Sequence, residues 1–284
     1  MPLFERIEYG SGHGTMQGIY PRFYLQIHEI ADHCGKTKEE FDKIFGEYRE
    51  KVMPDITNFY DLFHQIDDQY KKYNDGLRNE IYFSKDKQGT YNHDRKLEFQ
   101  LINQIKDFFI KGRILLNNLS KSPILKDDLF NLELLLIVKD NNFIKNKNQL
   151  LDKDPLRRYE KLFEIVEDAR AGFLNEFNQI RAEIEHNNFT INRFVIEILN
   201  GEIKVIEPCL GNDLLINKIN FYYHQILRTI ELLLVWFYGI QSYIKWKQFL
   251  VLYQRKSFDP KILYHEFVML PRFPEDNMIQ LLYP

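Results

Sequence analysis

Apolar side chains recur at helical intervals through most of this chain. The clearest run is Val166, Phe173, Phe177, Ile180 and Ile184, at spacings of seven, four, three and four residues. Those positions fall on one stripe of an amphipathic helix. Residues that would interrupt such helices are scarce: 13 Gly and 10 Pro in 284 residues, against 23 Phe, 17 Tyr and 2 Trp. The pattern predicts an all-α fold with an aromatic core. Apolar residues at 44% and charged residues at 28% exclude global disorder.

The order of elements follows from caps, breakers and spacing. Residues 1–19, with Gly10, Gly12, Gly14 and Gly18, read as an irregular arm. A helix is expected over 21–34. Thr37-Lys38-Glu39-Glu40 is a capping box that opens a second helix, running to about 73 with a kink or break at Pro54. Residues 84–93 read as a loop. Helices follow over 94–119, with Leu97, Leu101, Ile105, Phe108 and Leu115 on the apolar side, and over 124–139, where the run Leu-Glu-Leu-Leu-Leu-Ile-Val is expected to be buried. The Asn- and Lys-rich stretch 140–154 reads as a polar loop. Pro155 suits the start of a long helix over 156–186. Asn200-Gly201 between β-rich runs predicts a small hairpin within 193–207. A last long helix is expected from about 213, then a tail over 256–284. The resulting organisation is an N-terminal helical region, 1–90, and a helical bundle, 94–255.

Composition limits partners and compartment. Net charge is −3 and the pI about 6.3, so the chain is no polycation that would coat nucleic acid indiscriminately. Cys34 and Cys209 are the two cysteines, too few and too far apart for a disulfide framework or a metal cluster. The opening residues MPLFERIEYG carry neither the basic nor the apolar region of a signal peptide. The longest apolar run, near 232–240, is too short to span a bilayer. The expectation is a cytoplasmic protein with reduced thiols and no membrane partner.

One constellation can carry chemistry. The end of the 156–186 helix reads Asn178-Gln179-Ile180-Arg181-Ala182-Glu183-Ile184-Glu185-His186-Asn187-Asn188. Arg181 and His186 form an Arg-x4-His pair set in polar neighbours. Arg22/His28 and Arg6/His13 have similar spacings, so the pattern alone carries nothing. Context separates the three: Arg6 and His13 straddle the Gly-rich arm, and Arg22 and His28 flank a run that suggests packing. Arginine stays charged and grips phosphate oxygens in a fork. Histidine titrates near neutrality and serves as base or acid. Five residues at 100° each set the two side chains about 140° apart on an ideal helix, so the arginine must reach round or the helix must end before His186. One histidine cannot be both acid and base in a single step, so a two-fold dimer with apposed helix ends is expected. The best local basic patch is Arg157 and Arg158, with Lys145, Lys147 and Lys153 before them; these two arginines are the expected phosphate contacts.

The segment Ile-Arg-Ala-Glu-Ile-Glu-His-Asn-Asn-Phe, late in a helical bundle and followed by a short extended segment and a long helix, resembles the HEPN superfamily. The resemblance covers roughly 94–255. It implies a HEPN-like multi-helix bundle with an N-terminal helical extension. It also implies a metal-independent endoribonuclease needing no cofactor, dimeric, of the kind found in toxin and phage-defence systems, with a protein antitoxin as a possible partner. Arg181 and His186 would be its catalytic pair, and Asn187 would orient substrate.

Two other readings compete. The first is a HEPN-type scaffold that binds RNA, nucleotide or protein without turnover, which Ala182 directly after the motif arginine favours. The second is a di-metal oxidase, since Glu183-x-x-His186 has the spacing used in di-iron bundles. A plain structural reading also exists, because Glu185 stands four residues after Arg181, an ordinary helix-surface ion pair. Tyr91, His93 and Arg95 could line a site at a helix start, with a solvated loop as the default.

Overall fold

A computed structural model describes Phe23, Tyr24, Ile27, His28 and Ala31, and residues 37–85, 91–186, 188–199, 202–246, 249–254 and 267–272. The arm, most of the 21–34 helix and most of the 256–284 tail lie outside the described residues. The described chain is mostly helical with small antiparallel strand pairs, as the periodicity predicts.

Thr37 caps the helix that follows it as expected, its hydroxyl accepting from the Glu40 N–H while the Glu40 carboxylate accepts from the Thr37 N–H. The element runs through α1 (Lys38–Phe41), a π-helical turn (Asp42–Gly46) and α2 (Glu47–Lys51). It breaks at Val52, just ahead of Pro54, and α3 (Met53–Arg78) begins. Asp94 caps α4 (Lys96–Lys121) through the Lys96 N–H. The expected loop at 84–93 is instead an antiparallel pair, β1 (Phe83–Lys85) and β2 (Tyr91–His93), with Phe83 opposite His93.

The segment 124–139 is not a helix. It holds two short 3-10 turns, Pro123–Leu125 and Leu132–Leu134. Local side chains outcompete the helical ladder: the Asp127 carboxylate accepts from the Leu129 and Phe130 N–H groups, and Asn131 accepts from Glu133. The stranded carbonyls find a distant donor. The Arg170 guanidinium, 6% exposed, donates to the carbonyls of Leu135, Leu136 and Val138 at 3.1, 3.3 and 2.8 Å and to Asp140 at 2.6 Å. The run is buried only in part, at Leu132, Leu135 and Leu136 with Leu134 exposed, and as irregular chain clamped by one arginine.

The expected loop at 140–154 is helix α5 (Asp140–Lys153), which buries Phe143 and Leu150 on one face. The long helix expected from 156 starts later, as α6 (Glu160–Ala169). It continues through a π-helical turn (Arg170–Leu174) into α7 (Asn175–Glu185). The predicted hairpin forms from β3 (Val195–Leu199) and β4 (Glu202–Ile206). Leu199 pairs with Glu202, and Asn200-Gly201 themselves lie outside the described residues. Further antiparallel pairs join β5 (Cys209–Leu210) to β6 (Asp213–Leu214) and β7 (Phe249–Gln254) to β8 (Phe267–Arg272), beyond the one hairpin expected. Between them runs α8 (Leu215–Trp246).

The chain divides into two compact units. The first comprises Met1–Thr57, Ile114–Gly172 and Ile226–Pro284, the second Asn58–Arg113 and Phe173–Gln225. In the first, Phe130 stacks on Tyr159 and packs against Phe163 and Phe237, and the Asp127 carboxylate accepts from Tyr159 and Gln241. In the second, Phe59 stacks on Phe108 at 4.7 Å and Phe63 on Tyr223 at 3.9 Å, while Phe177 fits against Phe109 and Tyr222 at 5.0 and 5.4 Å.

The clamp makes a test of the first unit. Arg170→Ala orphans three carbonyls in a buried segment, and the expected cost is about 3 kcal/mol or more in urea denaturation. A loss below about 1 kcal/mol would show that water replaces the guanidinium there.

Candidate functional site

In α7, Phe177, Ile180 and Ile184 point into the core of the second unit and are buried. At 100° per residue, Arg181 lies about 40° from Phe177, at the edge of the apolar arc, with Glu185 and Asn178 further round the same flank. The structure agrees: the Arg181 side chain is 33% exposed. One terminal nitrogen of Arg181 pairs with the Glu185 carboxylate, while its Nε is buried without a hydrogen-bond partner among the described residues.

A second arginine comes to this flank from α4. Arg113 donates from Nη1 to the Asn178 carboxamide at 2.8 Å. Burial lowers the pKa of Arg113, the like charge of Arg181 lowers it further, and Glu185 opposes both. Two guanidinium groups and one carboxylate therefore share the α4–α7 seam and leave a surplus positive charge. The sequence carries one signal for Arg113, a charge inside the apolar run Phe108-Phe109-Ile110-Lys111-Gly112-Arg113-Ile114-Leu115, and periodicity alone does not give it a role.

The helix ends at Glu185, and His186 is its C-cap, with φ −87° and ψ 8°. The helix thus stops before the imidazole, the alternative that the ideal-helix geometry left open. The His186 N–H donates to the Ala182 carbonyl, and the following chain is tied down where the Asn188 and Phe189 N–H groups both donate to the Glu183 carbonyl. Phe189 is buried near Phe109. Two anchors, Ile184 and Phe189, therefore hold an exposed imidazole at the helix end. Asn187 lies outside the described residues.

The other expected residues are placed differently. Arg157 and Arg158 belong to the first unit, and Arg181 and His186 to the second. Arg157, at φ 50°, pairs with Glu160 at 3.0 Å, and Arg158 pairs with the buried Asp154 at 2.8 Å. Lys147 is taken by Glu167. His28 packs edge-on against Phe41 and Phe45, the packing role its sequence context suggests; Arg6, His13 and Arg22 lie outside the described residues. Among the described residues, no three His, Cys, Asp or Glu side chains gather where they could hold a metal ion, so the di-metal reading finds no ligand set there. No helix among them is long and apolar enough to cross a membrane. Comparison with protein-family models, curated proteins and solved structures finds no match.

Two other histidines of the second unit are titrated by their surroundings. Burial lowers the pKa of His64 against the nearby Asp67, Asp68 and Asp61, and burial followed by Arg95 lowers that of His93. The unfolded chain takes up these protons from about pH 6.5, and the folded chain only at lower pH. The unfolded state then binds more protons, so stability falls as pH drops below that value and levels off under the folded pKa values. Thermal melts between pH 7 and pH 5 are expected to show a shallower loss for His64→Asn than for the parent chain. Identical slopes would mean that His64 ionises freely in the folded state.

Proposed function

We propose that this chain is an RNA-cleaving protein of the HEPN kind, acting as a metal-independent endoribonuclease. The observation that carries the reading is the pair of half-buried guanidinium groups, Arg113 and Arg181, with one carboxylate between them and an exposed imidazole at the end of the same helix. A half-buried cation pair short of one counter-charge attracts an anion, and a phosphodiester is an anion that arginine grips in a fork.

Cleavage then proceeds on the RNA's own 2′-hydroxyl. A base takes the hydroxyl proton, O2′ attacks phosphorus, and the P–O5′ bond breaks as an acid returns a proton to O5′. The products are a 2′,3′-cyclic phosphate and a 5′-hydroxyl. Arg181 and Arg113 stabilise the charge that builds on the phosphate oxygens. His186 supplies one proton-transfer group. The second comes from His186 of another copy across a two-fold axis, so the active species is a homodimer with a composite site. Asn187, next along the chain, would orient the substrate. Arg157 and Arg158 would contact the RNA backbone. Activity of this kind suits a cytoplasmic toxin or phage-defence role restrained by an antitoxin.

A second reading has its own support. Glu185 already occupies one side of Arg181, and Ala182 follows it, which favours an RNA- or nucleotide-binding scaffold without turnover.

Labelled RNA incubated with purified protein in EDTA separates the two. Cleavage is expected, with His186→Ala slower by at least a hundredfold, the lower range for loss of a general acid or base, and Arg181→Ala similarly impaired. Equal cleavage by the parent and His186→Ala would remove the assignment. Binding without cleavage would install the scaffold reading.

A further inference from the structure

The second unit holds another histidine–arginine pair, at the opposite end of α4 from Arg113. Eighteen residues separate Arg95 from Arg113, roughly 27 Å along a helix. Here a cavity of about 250 Å³ is lined by Phe83 of β1, His93 of β2, Arg95, and Phe194, Ile196 and Ile198 at and within β3. Its walls are apolar, and Phe83 and Phe194 are buried. The imidazole is held on both sides: His93 Nε2 is 2.7 Å from the Tyr73 hydroxyl, and Arg95 donates from Nε to Nδ1 at 3.3 Å. An Nδ1 that accepts carries no proton, so the ring is the neutral Nε2–H tautomer and donates to Tyr73.

The guanidinium itself is under-used. Two carboxylates stand within one turn of it, yet neither forms an ion pair with it among the described residues. Asp94 is spent on the Lys96 N–H at 3.0 Å, and the buried Glu98 accepts the Phe194 N–H at 2.9 Å. Arg95 lines the cavity, and its guanidinium makes no ion pair among the described residues. Pockets that bind small molecules have this make-up, apolar walls with a few fixed polar groups.

We propose that this cavity is a binding site for a small organic carboxylate with an apolar body, its carboxylate on Arg95 and its body against Phe83, Phe194, Ile196 and Ile198. The cavity is smaller than those that take drug-sized ligands, which limits the body to a single ring or a short branched chain. A forked guanidinium matches a planar carboxylate in two parallel hydrogen bonds. His93, neutral and held by Tyr73, fixes Arg95 through its Nε and so aims the fork. The site is independent of Arg181 and His186 and stands whether or not the chain cleaves RNA.

Saturation-transfer NMR on the full chain at pH 7.5 tests it with benzoate, 3-methylbutanoate and hexanoate, beside neutral benzamide and inorganic phosphate. At least one carboxylate is expected to bind saturably, with benzamide at least tenfold weaker and phosphate unable to displace it. Arg95→Gln should weaken the carboxylate at least tenfold. Ile196→Trp, which fills the cavity and leaves the charge in place, should abolish binding with an unchanged circular dichroism spectrum. Absence of saturable binding by all three carboxylates, binding that survives both substitutions, or displacement by phosphate would overturn the proposal.

Discussion

The second unit depends on the burial of Phe177 against Phe108, Phe109 and Tyr222. Burying three aromatic rings and a tyrosine together fixes how α7 is rotated about its axis. Once Phe177, Ile180 and Ile184 face inward, the 100° step leaves Arg181, Glu185 and Asn178 no position but the flank against α4. Phe189 repeats the constraint beyond the helix end and keeps His186 outside the core while preventing it from trailing away. The polar groups of the site are thus positioned by apolar packing, which is stiff because interiors are close-packed.

The electrostatics of that flank set it apart from routine surface pairing. Taken alone, Arg181 and Glu185 make a partly exposed ion pair four residues apart, worth little to stability. Arg113 changes the balance, because a second guanidinium, partly buried and tied to a neutral carboxamide, adds charge without a counter-ion. Folding gains nothing from bringing like charges together in a half-desolvated seam. On the proposal made above, an anion that satisfies both would offset that cost. Contrast Arg170 in the first unit, whose charge and donors are all consumed by three carbonyls and Asp140; that arginine is structural.

Much of this was legible in the chain. Thr37 and Glu40 marked a helix start, Asn200-Gly201 a hairpin, and the spacing from Phe177 to Ile184 the buried face of α7. Other elements were hidden for identifiable reasons. Residues 124–139 have the apolar content of a helix, but Asp127 and Asn131 bond to nearby N–H groups and a guanidinium more than thirty residues away takes the carbonyls. Residues 140–153 look like a polar loop because only Phe143 and Leu150 face inward on α5. Strands β1 and β2 are three residues each, too short for alternation to register. For the candidate site, Arg181 and His186 were singled out in the sequence by their local setting. Arg113 was not, since its role arises from a contact with Asn178 sixty-five residues along the chain.

The most direct measurement of the central claim is the chemistry of the RNA ends left after incubation in EDTA. Attack by the 2′-hydroxyl leaves a 2′,3′-cyclic phosphate and a 5′-hydroxyl, and a single 2′-deoxy substitution at the cut should block that cleavage. Fragments ending in 5′-phosphate, or cutting that persists at the deoxy position, would contradict the assignment of Arg113, Arg181 and His186 to phosphoryl transfer.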